Sequence, residues 1–183
     1  MELFEKTVRE EYIYKGKIIN LRRDEVELPN GRHSVREVIE HPGGVCVLPL
    51  TDSDEVLFVR QFRYPYKAAI LEIPAGKRDH ADENPLECGK RELKEETGAE
   101  AREYINLGEL YPSPGYVGEI IHIFLAKGLS FGQAKPDEDE FLNVEKIPFA
   151  KALDMVLSGE IKDSKTQTAI LKAAILLGKT DIH

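Results

Sequence analysis

One segment, NPLECGKRELKEETG, carries the best-defined helix in the sequence and constrains the rest of the fold. Asn84 can accept hydrogen bonds as the N-cap, and Pro85 fits the first helical position. Glu87 would complete a capping box with the N-cap residue. Gly98 suits the left-handed conformation that follows a last helical turn. We therefore predict one helix over residues 85–97.

The acidic side chains of this helix are grouped on one side. At 100° per residue, Glu92, Glu95 and Glu96 fall on an arc of roughly 100° beside the apolar side that carries Leu93. Glu92 and Glu96 are four residues apart, so their like charges repel, and Arg91 is the cation that flanks them. A solvated charged surface is the ordinary explanation of such residues. Clustered carboxylates with little compensation are also what Mg²⁺ needs, and the pattern indicates a metal site.

Residues 76–99, GKRDHADENPLECGKRELKEETGA, resemble the Nudix box, whose pattern is Gly-x5-Glu-x7-Arg-Glu-U-x-Glu-Glu-x-Gly-U with U aliphatic. Two features depart from it: six residues separate Gly76 from Glu83, and Ala99 occupies the last aliphatic position. The extra residue falls in the loop, so the helical spacing is intact. The resemblance implies an α+β protein with the Nudix α/β/α sandwich. The matching residues are Gly76, Glu83, Arg91, Glu92, Leu93, Glu95, Glu96 and Gly98.

The same resemblance implies roles for the residues of the box. Glu92 and Glu96 would be the principal metal ligands, and Glu95 would be an additional ligand that also belongs to the catalytic set. Arg91, likewise counted as catalytic, would hold the glutamates in place. The backbone carbonyl of Ala75 would coordinate one ion, and Gly76 would let the loop bend onto the helix. The expected cofactor is Mg²⁺, with Mn²⁺ as the alternative.

The remaining chain is predicted from hydrophobic periodicity and turn signals. Residues 5–41 alternate polar and apolar side chains around Asn30 and Gly31, which both tolerate positive φ, so we expect two or three antiparallel strands there. We expect this N-terminal β arm to span residues 1–42 and the Nudix hydrolase domain to span residues 43–183. Further strands are predicted at 45–50, 55–62, 101–110, 119–126 and 141–147, and helices at 149–158 and 164–178. Residues 69–76 are expected to form a short strand that enters a glycine-terminated loop.

Other segments resemble the ADP-ribose pyrophosphatase subgroup, namely VREVIEHPGG, VRQFRYPY, LEIPAGK, and Pro114, which lies 16 residues after Gly98. This resemblance implies that Arg36 and Arg63 contact the diphosphate or ribose, that Glu72 lies near the metals, and that Pro114 belongs to the substrate site. Taken singly, each arginine fits an exposed strand position equally well, and the proline fits a stiff turn.

The segment GQAKPDEDE, residues 132–140, contains four consecutive acidic residues beside glycine and proline. In the resembling enzymes, an acidic residue of this loop approaches the site when substrate binds. Because side chains alternate along a strand, Glu138 and Glu140 would face the same side. We expect Glu138 to be the general base and Glu140 an auxiliary metal ligand, although a solvated acidic turn fits as well. Alternative bases are Glu95, Glu72 and Asp139.

Charge and composition exclude several classes of partner. The chain has 25 Lys and Arg against 33 Asp and Glu, and its net charge of −8 disfavours nucleic acids and anionic membranes. Its acidic start and the lack of a long apolar run predict a cytoplasmic protein. Cys46 and Cys88 lack metal-ligand or redox spacing, so we expect buried or idle thiols.

The function that these features predict is hydrolysis of the pyrophosphate bond of a nucleoside diphosphate sugar. ADP-ribose is the leading candidate, with AMP and ribose 5-phosphate as products. Members of the subgroup are typically homodimers, so the resemblance implies a homodimer that the N-terminal arm joins. Alternatives that stay open are a Nudix pyrophosphatase for GDP-mannose or flavin dinucleotide, a non-catalytic nucleotide-sugar sensor, and a purely structural dimer.

Overall fold

The computed structural model describes residues 3–80, 82–135 and 141–180. These residues divide into two compact units. The first contains the described part of residues 1–43 together with residues 111–120, and the second contains residues 44–110 and the described part of 121–183. The predicted division at residues 42 and 43 stays a prediction.

The first unit contains a three-stranded antiparallel sheet in the order β1-β2-β3, with strands β1 (Lys6–Lys15), β2 (Asn20–Glu27) and β3 (His33–Glu40). The hairpin expected around Asn30 and Gly31 joins β2 to β3. Of these two residues, Gly31 alone has a positive φ, 79°, so the turn does not use Asn30 in the way that the sequence suggested. Residues 111–120 join this unit through hydrogen bonds of 2.8 and 2.9 Å to the backbone of Ile39.

The second unit contains a mixed seven-stranded sheet with the order β10-β5-β4-β9-β8. Strand β6 pairs with β5, and β7 pairs with β4. The β4–β9 pair is parallel, and the other pairs are antiparallel. The strands are β4 (Gly44–Leu50), β5 (Glu55–Arg63), β6 (Ala68–Glu72), β7 (Ala75–Lys77), β8 (Ala99–Leu110), β9 (Ile121–Phe131) and β10 (Leu142–Pro148).

The short strand expected in residues 69–76 is β6, and the residues that follow it lead into a second short strand, β7, which was not expected. The Ile73 amide donates to Thr166 Oγ1 at 2.9 Å instead of joining the ladder. Pro74 has no N–H, and its carbonyl accepts from the Val47 amide at 2.9 Å. The chain therefore crosses from the β5 edge to the β4 edge at these two residues.

Three helices complete the second unit: α1 (Pro85–Thr97), α2 (Phe149–Leu157) and α3 (Ser164–Leu177). The bounds of α1 agree with the prediction, since Asn84 Oδ1 accepts from the amides of Leu86 and Glu87, and Gly98 has φ 71°. The expected capping box is wrong, because the Glu87 carboxylate pairs with Lys90 at 2.7 Å. The N-cap interaction is therefore made by the Asn84 side chain alone.

Helices cover both faces of the sheet, which confirms the α/β/α sandwich. Cys46, Leu48 and Phe58 belong to the larger core cluster with residues of α2 and α3. Val47 and Leu57 pack in a second cluster with Leu93 of α1. Adjacent residues of β4 thus face opposite layers, as strand geometry requires, and all of β4 is buried. Cys88 is also buried, and both cysteines are free thiols.

Within the described ranges, no helix combines the length and apolar character needed to cross a membrane.

Candidate active site

Two of the three clustered glutamates of α1 are buried. Glu92 is 8% exposed and Glu96 is 2% exposed, while the Glu95 side chain is 35% exposed. Leu93 between them is fully buried against the sheet. A buried carboxylate is costly unless it is paired or hydrogen-bonded, so the environment must supply donors.

Arg91 supplies one set of donors. Its Nη1 atom lies 2.8 Å from Glu92 Oε1 and 3.0 Å from Glu95 Oε2, and its Nη2 atom lies 3.6 Å from Glu83 Oε1. Burial by itself would lower the pKa of Arg91, but the neighbouring anionic groups, led by Glu92, raise it above its ordinary value. The guanidinium stays charged and holds carboxylates from the helix and from the preceding loop together.

Strand β7 supplies the second contact with the helix. The Ala75 amide donates to Glu96 Oε2 at 3.1 Å. A Cβ atom added at Gly76 would overlap the carboxyl group of Glu92. The φ of Gly76 is not positive, so glycine is not required there for a left-handed backbone conformation. Glycine is needed there because the Glu92 carboxylate lies directly against the backbone.

The donor set fits a hard divalent cation. Carboxylate oxygens are the ligands that Mg²⁺ takes in proteins, and α1 supplies two buried ones and a third at the rim. Among the residues that the structure describes, no three His, Cys, Asp or Glu side chains are already arranged as a metal cluster. The carboxylates of the set are paired with Arg91 and with the Ala75 amide.

A second charged group lies at the ends of β5 and β6. Arg63 donates from Nε and Nη2 to the two oxygens of Glu72, each at 2.7 Å, and Glu72 is 3% exposed. Burial would raise the pKa of Glu72, but the hydrogen bond from Arg63 and the charge of Lys165 lower it below its ordinary value. The sequence indicated Arg63 and Glu72 separately, and the structure joins them in one bidentate ion pair.

Lys165 also belongs to this group, and sequence reasoning missed it. Its Nζ atom donates to Glu72 Oε2, and the residue is 8% exposed. One sequence signal could have indicated it, because Lys165 lies two residues after the N-cap residue Asp163, in the first turn of α3. A cation there faces the positive end of the helix dipole, so it needs a compensating anion.

A cleft of about 630 Å³ opens beside this group. Its size falls within the range of small-molecule sites, roughly 300–1,000 Å³. Charged and aromatic residues that line it include Arg60, Arg63, Tyr66, Glu72 and Lys165. The cleft is a candidate location for part of a phosphorylated ligand.

Two predicted substrate residues belong to the first unit. Arg36 pairs with Glu5 through Nε and Nη2, at 2.9 and 2.6 Å. Pro114 is exposed and lies in a turn in which the Tyr116 amide donates to the Ser113 carbonyl at 3.2 Å. The predicted loop residues Glu138 and Glu140 lie outside the described residues.

Comparison with known proteins identifies the family. Residues 5–39 match the nucleoside diphosphate sugar hydrolase N-terminal domain, and residues 40–166 match the NUDIX domain. The chain is 46% identical over 170 residues to the ADP-ribose pyrophosphatase of Bacillus subtilis, with 92% of this chain and 91% of that protein covered. It is 42% identical over 168 residues to the methanol dehydrogenase activator of Bacillus methanolicus, with 91% and 90% covered.

Among solved structures, the chain is similar to the crystal structure of an ADP compounds hydrolase. The TM-score is 0.85 and the identity is 23%, with 98% of this chain and 97% of that chain covered. At that identity the likeness supports the fold. The domain match and the relatives of nearly equal length establish the family: this chain belongs to the Nudix family.

Proposed function

We propose that this protein hydrolyses the pyrophosphate bond of a nucleoside diphosphate sugar, with ADP-ribose as the preferred substrate and AMP and ribose 5-phosphate as products. The observation that carries the proposal is the pair of buried carboxylates, Glu92 and Glu96, held against the backbone of β7. The similarity to the Bacillus subtilis ADP-ribose pyrophosphatase, which extends over nearly the whole chain, supports the choice of substrate.

Nudix hydrolases generally depend on divalent metal ions. We infer that Glu92, Glu96 and Glu95 hold Mg²⁺ together with the Ala75 carbonyl, with Mn²⁺ as the alternative ion. Bound metal supplies charge neutralisation on the phosphoryl oxygens and lowers the pKa of the attacking water. Glu140 is proposed as a further ligand, and Glu138 as the base that takes the proton from that water.

Arg63 is proposed to bind the diphosphate. Glu72 accepts from Nε and Nη2 of the guanidinium, so the Nη1 group and the second Nη2 proton are left to meet phosphate oxygens. An arginine that is held on one edge by a carboxylate presents its other edge in a defined direction. Arg36 and Pro114 are proposed to contact the substrate on the strength of the subgroup resemblance.

We also infer a homodimer in which the N-terminal arm contacts a second copy. Strand β1 is exposed along its whole length, and its exposed apolar residues support this proposal: Val8, Tyr12, Ile13 and Tyr14. Light scattering coupled to gel filtration would measure the mass, and a monomer at micromolar concentration would reject the dimer. The two free thiols fit a reducing compartment, and we infer a cytoplasmic location.

The test is a turnover screen with Mg²⁺ over ADP-ribose, GDP-mannose, other nucleoside diphosphate sugars, NADH, flavin dinucleotide and diadenosine polyphosphates, with products identified by mass spectrometry. We expect the highest kcat/KM for ADP-ribose. A clear preference for a substrate without an adenosine diphosphate moiety would reject the assignment of ADP-ribose. Binding of nucleotide sugars without turnover of any of them would indicate a non-catalytic sensor instead of an enzyme.

The two arginines give a second test within this screen. Arg36→Ala and Arg63→Ala should each lower kcat/KM for ADP-ribose by about 10- to 100-fold, because a hydrogen bond to a charged group contributes roughly 1.5–3 kcal/mol. Arg102→Ala, which removes an exposed arginine of β8, is the control and should leave kcat/KM unchanged. Unchanged kcat/KM in both test variants would contradict the proposed contacts.

A further inference from the structure

We propose that Lys165 is a positioning residue that acts through Glu72 to hold the Arg63 guanidinium in the orientation that meets the diphosphate. This inference rests on the proposed function, in which Arg63 binds the substrate. The residues involved lie in the second unit, on β5, on β6 and at the start of α3.

Lys165 is buried and its ammonium group lies between two carboxylates. Nζ donates to Glu72 Oε2 and, at 3.0 Å, to Asp163 Oδ1. A lysine in the first turn of a helix opposes the helix dipole, and burial adds a desolvation penalty. A solvent-exposed lysine at this position would avoid the desolvation penalty, so its burial is explained by the two anionic partners.

Hydrogen bonds of Asp163 and Thr166 fix the first turn of α3. Asp163 Oδ2 accepts from the Thr166 amide at 3.0 Å and from Thr166 Oγ1 at 2.6 Å. Thr166 Oγ1 in turn accepts from the Ile73 amide at 2.9 Å. The helix therefore contacts two consecutive residues at the end of β6, Glu72 through Lys165 and Ile73 through Thr166.

Both oxygens of Glu72 are used by this arrangement. Arg63 donates to both oxygens of the carboxylate, and Lys165 donates to Oε2. Without Lys165, the carboxylate would keep Arg63 as its cationic partner, and the Arg63 side chain is 39% exposed. The pair would then be free to rotate toward solvent.

Removal of Lys165 would change both the net charge of this group and the support of the guanidinium. Arg63 and Lys165 carry two positive charges, and Glu72 and Asp163 carry two negative charges, so the group of four is neutral. Lys165→Met leaves this group with a net charge of −1, and that charge acts on a phosphate whether or not Arg63 is present, whereas a change in the direction of the guanidinium requires Arg63. Binding depends on that direction, because bidentate contacts with phosphate require a defined geometry.

The contacts of β7 with the carboxylate helix are supported separately. The Pro74 carbonyl accepts from the Val47 amide, and Ala75 pairs with Cys46 in the β4–β7 register. These backbone contacts do not involve Lys165. A change at Lys165 should therefore alter the binding of the diphosphate and leave the metal requirement unchanged.

The first experiment compares Lys165→Met with two other variants. We expect Lys165→Met to lower kcat/KM for ADP-ribose about tenfold, chiefly by raising KM, with the half-activating Mg²⁺ concentration unchanged. Lys165→Arg, which keeps the cation, should recover most of the loss. Lys172→Met is the matched control on the same helix, since Lys172 is exposed and contacts the Leu107 carbonyl, and it should leave kcat/KM unchanged. A loss confined to kcat, or equal losses with Met and Arg at position 165, would overturn the proposal.

A double-mutant cycle distinguishes positioning from general support of the fold. If Lys165 acts through Glu72 on Arg63, Lys165→Met should add no further loss of kcat/KM once Arg63→Gln is present. The same tenfold loss in both backgrounds would mean that Lys165 acts independently of Arg63. That result would overturn the inference.

An NMR measurement tests the inference without turnover. The Arg63 Nε–H signal, assigned by its loss in Arg63→Gln, should exchange slowly with water in the unmodified protein and in Lys172→Met, and faster in Lys165→Met. Unchanged exchange in Lys165→Met would overturn the positioning role. If Lys165→Met does not fold, Lys165→Gln carries the same expectation. Absence of turnover with every substrate would reject the proposed function alone, while this signal still decides the role of Lys165.

Discussion

Replacement of Gly76 by alanine tests the closest contact in the candidate site. A Cβ atom at this position would overlap the Glu92 carboxyl group, which is buried and paired with Arg91 at 2.8 Å. The neighbouring backbone is held by the pairing of β7 with β4. The Glu92 side chain must therefore move, and its ion pair with Arg91 must lengthen or break.

The expected effect of Gly76→Ala on stability is moderate. Overpacking of a filled site costs about 1–3 kcal/mol. Alanine restricts the unfolded backbone more than glycine does, and this entropy difference stabilises the folded state by about 0.4–1 kcal/mol. The central values of these ranges leave a net loss of about 1.3 kcal/mol, which corresponds to a decrease in Tm of roughly 3–5 °C for a chain of this size. Differential scanning calorimetry would measure it.

The expected effect of Gly76→Ala on activity is larger. A displacement of about 1 Å in a reacting group can lower the rate about 100-fold, so kcat for ADP-ribose should fall at least that far. Gly118→Ala is the control, because the nearest atom to its added Cβ, the Ile39 carbonyl oxygen, lies at an ordinary 3.5 Å. Turnover of Gly76→Ala within about threefold of the unmodified protein, at saturating Mg²⁺, would refute the reasoning.

Three further results are expected. Glu96→Gln should lower kcat at least about 100-fold without loss of Tm, since it removes a proposed ligand and a like-charge repulsion; near-normal turnover would contradict the metal assignment. Glu138→Gln should lower kcat by about 10²- to 10⁴-fold with little change in metal activation, whereas Glu140→Gln should mainly raise the Mg²⁺ requirement; full activity in both would move the base elsewhere. Burial raises the pKa of Cys46 and Cys88 to about 12, so a thiol reagent at pH 8 should label them only after unfolding, and rapid labelling of the native protein would contradict their burial.

The sequence alone determined the features that depend on neighbouring residues. Helix α1 begins after Asn84 and ends before Gly98 because capping is a local interaction, and its carboxylates share one side because helical spacing requires it. The hairpin at Gly31 follows in the same way, since glycine tolerates the positive φ of the turn. The family was also predictable, because the residues of the Nudix box lie within one short segment.

Only the tertiary structure decided which distant residues meet. Pro74 and Ile73 end the expected strand because their hydrogen bonds go to Val47 and Thr166, and neither partner can be inferred from local pattern. The structure shows which helix residue makes glycine necessary at position 76, namely Glu92, since this contact exists only when β7 packs against α1. Lys165 and Glu72 are 93 residues apart in sequence. Their ion pair forms because α3 packs beside the end of β6, and a sequence pattern reports which residues are near in the chain but not which ones the fold brings together.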